Sequence, residues 1–248
     1  MQASVWGERA RDWAELLEKA ERPWLGPAYE LVLERLEVGP GTDLLDVGCG
    51  SGRFCVLASA RGARVSGIDA TPELLAIARE RNPDADLRLG DMQFLPWDDG
   101  AFDVVTGFNS FFYAADIVAA LREAARVGRH VALTAFGRPE RCESTPVLEY
   151  LGPLLPRHAV EDDGPELEAL LPQAGLRTIE AGYLEIPEEY ADLDTLLRAW
   201  LSIGPVRLAV RNAGEDAVRE VLTKAFAPLR TSSGGYRIED EYRYVIAA

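Results

Sequence analysis

From residue 43 onward, short apolar runs alternate with longer amphipathic stretches, and this switching of period predicts repeated strand and helix units. Strands are expected at residues 43–47, 64–68, 86–90, 102–108 and 130–136. Runs apolar on both sides suit a largely parallel sheet, because its crossover helices cover both faces. One helix opens near Gly52, a second starts at Pro72 with Thr71 as N-cap, and a third covers 116–126. Ahead of this core, Trp6, Ala10, Trp13 and Leu17 share one helical face. Tyr29, Val32, Leu33 and Leu36 share another after Pro27, so two leading helices are predicted. Beyond it, Pro165 to Ala174 reads as a helix stopped by Gly175, residues 176–186 as a sixth strand, and 189–203 and 213–226 as two added helices. The tail places Tyr236, Ile238, Asp240, Tyr242, Tyr244 and Ile246 on one side of a period-two strand entered through Gly234-Gly235, which predicts a closing edge or hairpin strand.

Length adds that these units form one α/β domain, since compact domains run to roughly 250 residues. Its expected parts are leading helices over 1–39, a core over 40–188, inserted helices over 189–230 and the closing strand over 231–248. Hydrophobic content of 48% with 27% charged residues excludes a disordered chain. Charge changes the picture more: 41 acidic against 26 basic residues give −15, a field that repels polyanions and argues against nucleic acid as partner. The opening MQASVWGERARDW carries charges where a secretory signal needs an apolar core, and no run approaches the ~20 apolar residues of a membrane span. A cytoplasmic protein, monomer or homodimer, is expected. Cys49, Cys55 and Cys142 have no metal-ligand spacing and are too few for a disulfide framework, so reduced thiols and no metal are expected.

Candidate chemistry concentrates in LLDVGCGSGRF, where a buried strand ends in Asp46 and runs through Gly48, Gly50 and Gly52 into a helix. Glycines there allow positive φ and close approach of backbone to a ligand, although such a turn also occurs with no ligand. A dinucleotide fingerprint needs a glycine where Arg53 stands, so G-x-G-x-G disfavours nicotinamide binding, and no lysine follows Tyr113 at the fourth place, which Ile117 fills. Asp46 beside the turn suits a ligand with an ammonium group better than a pyrophosphate. Asp69 ends the next strand, where a carboxylate can accept from both ribose hydroxyls, and Asp91 beside Met92 ends the one after, in reach of an adenine amino group. Each aspartate alone is better explained as a cap or loop residue. Three in register at adjacent strand ends point to one crevice.

DVGCGSG at 46–52, GID at 67–69, GDMQFLPWDDGAFDVV at 90–105 and GFNSFFYAAD at 107–116 together resemble the class I S-adenosylmethionine-dependent methyltransferases. The resemblance runs from about residue 40, and the tail from Ser202 is similar to a small-molecule subgroup of bacterial metabolite pathways. It implies a Rossmann-like seven-stranded sheet, last strand antiparallel, with S-adenosylmethionine as cofactor and S-adenosylhomocysteine as product. It also implies Gly48, Gly50 and Gly52 under the methionine part, Asp69 on the ribose, Asp91 and Met92 on adenine, and neighbouring Ala70 and Phe108 completing the set. Val127-Gly128-Arg129 replaces the usual Pro-Gly-Gly before the fifth strand.

Methyl transfer from a sulfonium releases a neutral leaving group, so orientation supplies most of the acceleration, and only a protic acceptor adds the need for a base. Asn109 and Tyr113, just past the fourth strand, are candidates for positioning acceptor or cofactor. His158 in GPLLPRHAVED is a candidate base, although a lone loop histidine is more often a solvated side chain, and His130 opens a strand as a structural residue. Glu161-Asp162-Asp163 reads as a solvated run. Trp6, Trp13, Trp24 and Tyr29 suit either a lid or plain core packing, and Trp200 a pocket wall. The resulting expectation is methyl transfer to a small molecule. The alternatives are a non-methylating use of the bound sulfonium, such as cyclisation, or a non-catalytic partner subunit that keeps the pocket.

Overall fold

A computed structural model describes residues 2–19, 21, 23–156 and 167–248. Its centre is a seven-stranded sheet of β1 (Asp43–Val47), β2 (Arg64–Asp69), β3 (Asp86–Leu89), β4 (Phe102–Phe108), β5 (Gly128–Phe136), β6 (Thr178–Tyr190) and β7 (Tyr236–Ala247), in the order β3-β2-β1-β4-β5-β7-β6. The first five strands run parallel, and β7 lies antiparallel to both β5 and β6. Strand order reverses between β1 and β4, so crossover helices leave toward opposite sides and a crevice opens at the carboxyl ends of these strands.

The helices are α1 (Gln2–Gly7), α2 (Ala10–Asp12, continued by a wider turn over Trp13–Leu17), α3 (Gly26–Arg35), α4 (Arg53–Ala60), α5 (Pro72–Arg81), α6 (Ile117–Val127), α7 (Ser144–Leu151), α8 (Leu167–Leu170), α9 (Leu193–Trp200), α10 (Gly204–Ala213) and α11 (Glu215–Phe226). Asp116 caps α6 by accepting from the Ala119 amide at 2.9 Å. Thr71 occupies the N-cap position of α5, yet its side chain makes no cap bond; Asp69 Oδ1 accepts from the Thr71 amide instead.

Three expectations need correction. The tail strand is no edge: β7 pairs on both sides, Leu133 with Val245 and Ile186 with Asp240. Residues 189–203 do not form one helix, because β6 continues to Tyr190 and Asp192 then caps a new start by accepting from the Thr195 amide. Gly204-Pro205 opens α10 as a further helix, so three helices stand where two were predicted. Helix α7, in a stretch without an assigned element, is a further addition.

Two apolar cores pack the faces of the sheet, one around Leu44, Phe54 and Leu75, the other around Leu45, Val105 and Leu121. A third lies beyond the strand ends, where Trp13 and Leu17 of the leading segment meet Leu196, Trp200 and Phe226 of the added helices. Segments from opposite ends of the chain thereby form one roof over the crevice. Among the described residues no helix is long and apolar enough to cross a membrane.

Candidate active site

The turn after β1 is built by backbone that folds back on β2. The amides of Gly48 and Cys49 both donate to the Ile68 carbonyl, at 2.8 and 3.1 Å, and the Gly50 amide donates to Asp69 Oδ2 at 2.8 Å. Gly48 has φ +75°, and a Cβ there would lie 2.4 Å from Ser110 Cβ, so only glycine lets β4's end close against the turn. Gly52 was expected under the cofactor; instead it faces α5, where a Cβ would lie 2.6 Å from Asn82 Nδ2 and 2.9 Å from Ala78 Cβ. Its smallness serves helix packing.

Asp46 also stands off the cavity. Its Oδ1 accepts from Thr106 Oγ1 at 2.8 Å beneath the turn, and burial, opposed by that hydroxyl and reinforced by Glu18 and Asp69, pushes its carboxyl up to about 7. The expectation that it meets the ligand directly is replaced by a buried support beneath the glycine backbone.

Above the turn lies a cavity of about 790 Å³, whose wall includes Gly48, Gly50, Asp69, Ala70, Asp91 and Met92. Phe108, Asn109 and Tyr113 line it too. Asp69 uses one lone pair of each oxygen on backbone, with Thr71 donating to Oδ1 at 2.8 Å, and retains others for hydroxyl donors. Burial raises its carboxyl, while the Gly50 and Thr71 amides oppose the shift. Asp91 is exposed and accepts from the Gln93 amide at 2.9 Å. Asn109 is 8% exposed with φ +48°, a left-handed conformation that asparagine tolerates better than most residues. Thr134 Oγ1 donates to its Oδ1 at 2.9 Å, whereas its Nδ2 is buried with no partner among the described residues. Burial pushes the Tyr113 hydroxyl well above the phenol range, so it stays protonated and acts as a donor. His158 and Glu161-Asp162-Asp163 lie outside the described residues.

The far half of the cavity is aromatic. Trp6, Trp13, Trp24, Tyr29 and Trp200 all reach it, and Trp13 and Trp200 also pack in the core beyond the strand ends. Three carboxylates escaped sequence reasoning. Glu18, in the leading segment, accepts from the Ser51 amide at 3.2 Å and from Ser51 Oγ, with Arg81 Nη1 3.9 Å away, and burial raises its carboxyl. Glu188 and Asp240 come from facing strands β6 and β7. Asp240 carried a readable signal, being one acid in an otherwise apolar and aromatic row. Glu188 stood beyond the predicted end of its strand, and Glu18 had none.

S-adenosylmethionine fits this donor set. Asp69 and Asp91 offer carboxylate acceptors, Asn109 Nδ2 lacks an acceptor among the described residues, and Gly50 lies on the cavity wall. Glu18, Asp69, Asp91, Glu188 and Asp240 line the space, and no lysine, arginine or histidine does among the described residues, which suits a cation.

Residues 45–135 match the methyltransferase domain family. The chain is 33% identical over 175 residues to a malonyl-[acyl-carrier protein] O-methyltransferase of Serratia marcescens, covering 68% of this chain and 66% of that one. It is 30% identical over 213 residues to a "probable S-adenosylmethionine-dependent methyltransferase" of Mycolicibacterium smegmatis, covering 86% and 81%. Among solved structures, the YcgJ protein of Bacillus subtilis superposes with TM-score 0.60 at 20% identity over 89% of this chain and 97% of that one. The [4+2]-cyclase SpnF does so with TM-score 0.55 at 20% identity over 89% and 79%. The glycine turn, its sheet order and these relatives together show that the chain belongs to the class I S-adenosylmethionine-dependent methyltransferases.

Proposed function

We propose that the chain methylates a small molecule held in the aromatic half of the cavity. The observation that carries this reading is one continuous space of about 790 Å³, polar at the glycine turn and aromatic under the helical roof. Binding sites of roughly 300–1,000 Å³ hold drug-sized ligands, enough for the cofactor with a compact acceptor beside it. A polymer would need an open groove, and the net charge of −15 opposes nucleic acid.

In this reading Asp69 holds the ribose, Asp91 and Met92 the adenine, and Gly48 and Gly50 the methionine part, with Glu18 placed beside Gly50 to meet its ammonium group. Bound S-adenosylmethionine supplies an electrophilic methyl group. Asn109 and Tyr113 orient the reactants as hydrogen-bond donors, and the tryptophan roof excludes water. The three cysteines are free and buried, as a reducing cytoplasm favours. Calorimetry with S-adenosylhomocysteine tests the cofactor half, and transfer of labelled methyl to small molecules of a bacterial extract tests the acceptor half. Label found only in protein or nucleic acid would refute the small-molecule reading.

A further inference from the structure

Neighbouring acids on β7 meet opposite fates. Glu241 is 2% exposed and bonded to Arg138 at 2.5 Å, which holds its carboxyl down at about 2 despite burial. Asp240, also 2% exposed, points to the other face, onto the cavity. Its Oδ1 accepts from the Ser144 amide at 2.9 Å, and no ion pair among the described residues compensates it. Glu188 joins it: Glu188 pairs with Ile238 and Asp240 with Ile186, so the two acids are diagonal neighbours on one sheet face, about 7–8 Å apart at the backbone. Tyr190 donates its hydroxyl to Glu188.

The surroundings are those of a cation site. Trp24, Phe136 and Tyr242 form a cluster with ring centroids 5.5 to 6.4 Å apart, and Trp24 Nε1 donates to the Tyr242 hydroxyl at 2.8 Å. Ring faces attract ammonium groups, most strongly where water is excluded. Independently, Trp13, 8% exposed on the same wall and 5.7 Å from Trp24, leaves its indole Nε1–H buried without a partner among the described residues. That donor asks for an acceptor atom on a ligand.

Resting on the methyltransferase reading, we propose that the acceptor is a small amine that enters as an ammonium ion held between Glu188 and Asp240, with a hydrogen-bond acceptor elsewhere in its skeleton for Trp13. A hydroxyl acceptor would satisfy one carboxylate and leave the pair to take up a proton, whereas an ammonium has three donors and compensates both charges. Glu188 takes one ammonium proton. The freed nitrogen lone pair forms the N–C bond as the C–S bond breaks with its electron pair on sulfur, so the thioether leaves neutral, the methylated amine keeps the positive charge, and Glu188 returns its proton to water.

The groups facing the pair agree with this role. Burial and the field of Asp240 push the Glu188 carboxyl up to about 7, against the Tyr190 hydroxyl and Lys19, while Glu143 adds to the rise at Asp240 and the Tyr242 hydroxyl stays neutral. A cation bound there favours the carboxylate, so binding near pH 7 releases protons.

The test is calorimetry on protein saturated with S-adenosylhomocysteine, titrated with tyramine and 5-hydroxytryptamine, their alcohol counterparts tyrosol and 5-hydroxytryptophol, and the anion 4-hydroxyphenylacetate. At least one amine should bind tenfold or more tighter than its alcohol, with a heat that differs between buffers of unlike ionisation enthalpy, and the anion should not bind. Glu188→Gln and Asp240→Asn, both near-isosteric, should each weaken the amine about tenfold or more, the loss of a charged hydrogen bond, and leave S-adenosylhomocysteine affinity within twofold. Alcohols binding as well as amines, amines failing to bind, or variants that bind them unchanged would overturn the proposal. Loss of S-adenosylhomocysteine binding by the unmodified protein would instead refute the methyltransferase reading beneath it.

Discussion

Replacing Asp69 by asparagine separates its two duties. The carboxylate accepts from the Gly50 amide with one oxygen and from the Thr71 amide with the other, each at 2.8 Å. A carboxamide keeps one oxygen and turns an NH2 toward the second amide, leaving a buried N–H unpaired at about 1–3 kcal/mol. With about 2–4 °C per kcal/mol for a chain of this size, melting should fall by roughly 2–12 °C. In the proposed ribose role the cofactor loses more than geometry, because its hydroxyls would no longer meet a charged acceptor. A hydrogen bond to a charged group contributes about 1.5–3 kcal/mol, or roughly 10- to 150-fold in Kd. Calorimetry with S-adenosylhomocysteine reads the second effect and thermal melting the first. A lower melting point with Kd within twofold of the unmodified protein would refute the ribose assignment and leave Asp69 as a clamp on the turn alone.

Other residues give independent tests. Because folding raises Asp46 from 3.8 to about 7, the native state holds a proton that the unfolded state has lost, so stability declines as pH rises from about 4 to about 7. Asp46→Asn keeps the Thr106 bond, and at pH 8 should raise stability by up to about 4 kcal/mol and flatten that slope, as read by denaturant titration across pH. Gly52→Ala forces a Cβ to 2.6 Å from Asn82 Nδ2 at φ +76°, and about 1–3 kcal/mol of overpacking should appear in urea unfolding. Glu18→Ala unties the leading segment from Ser51, so hydrogen exchange over residues 2–19 should quicken several-fold; unchanged protection would show that the tryptophan packing alone holds the roof.

Much of the site was legible because local backbone demands and short-range periodicity write themselves into neighbouring residues. The glycine turn, the acids at the ends of β2 and β3, and the five parallel strands all rest on spacings of a few residues. The boundary at Tyr190, the start of α10 and the inner place of β7 did not, since each depends on what packs against it. Asp46 and Gly52 were correctly seen as part of the turn but placed on its ligand side, because a motif gives the order of residues without the direction of their side chains.

By itself, then, the chain's sequence determined an α/β sheet with a cofactor turn at its carboxyl edge, for the reason that period and glycine spacing act over single elements. Only the tertiary structure decided which further carboxylates line the cavity. Glu18, Glu188 and Asp240 come from distant segments and converge because apolar faces near both ends of the chain bury one another beyond the strand ends. Burial then raises all three carboxyls, of which local sequence marked Asp240 alone.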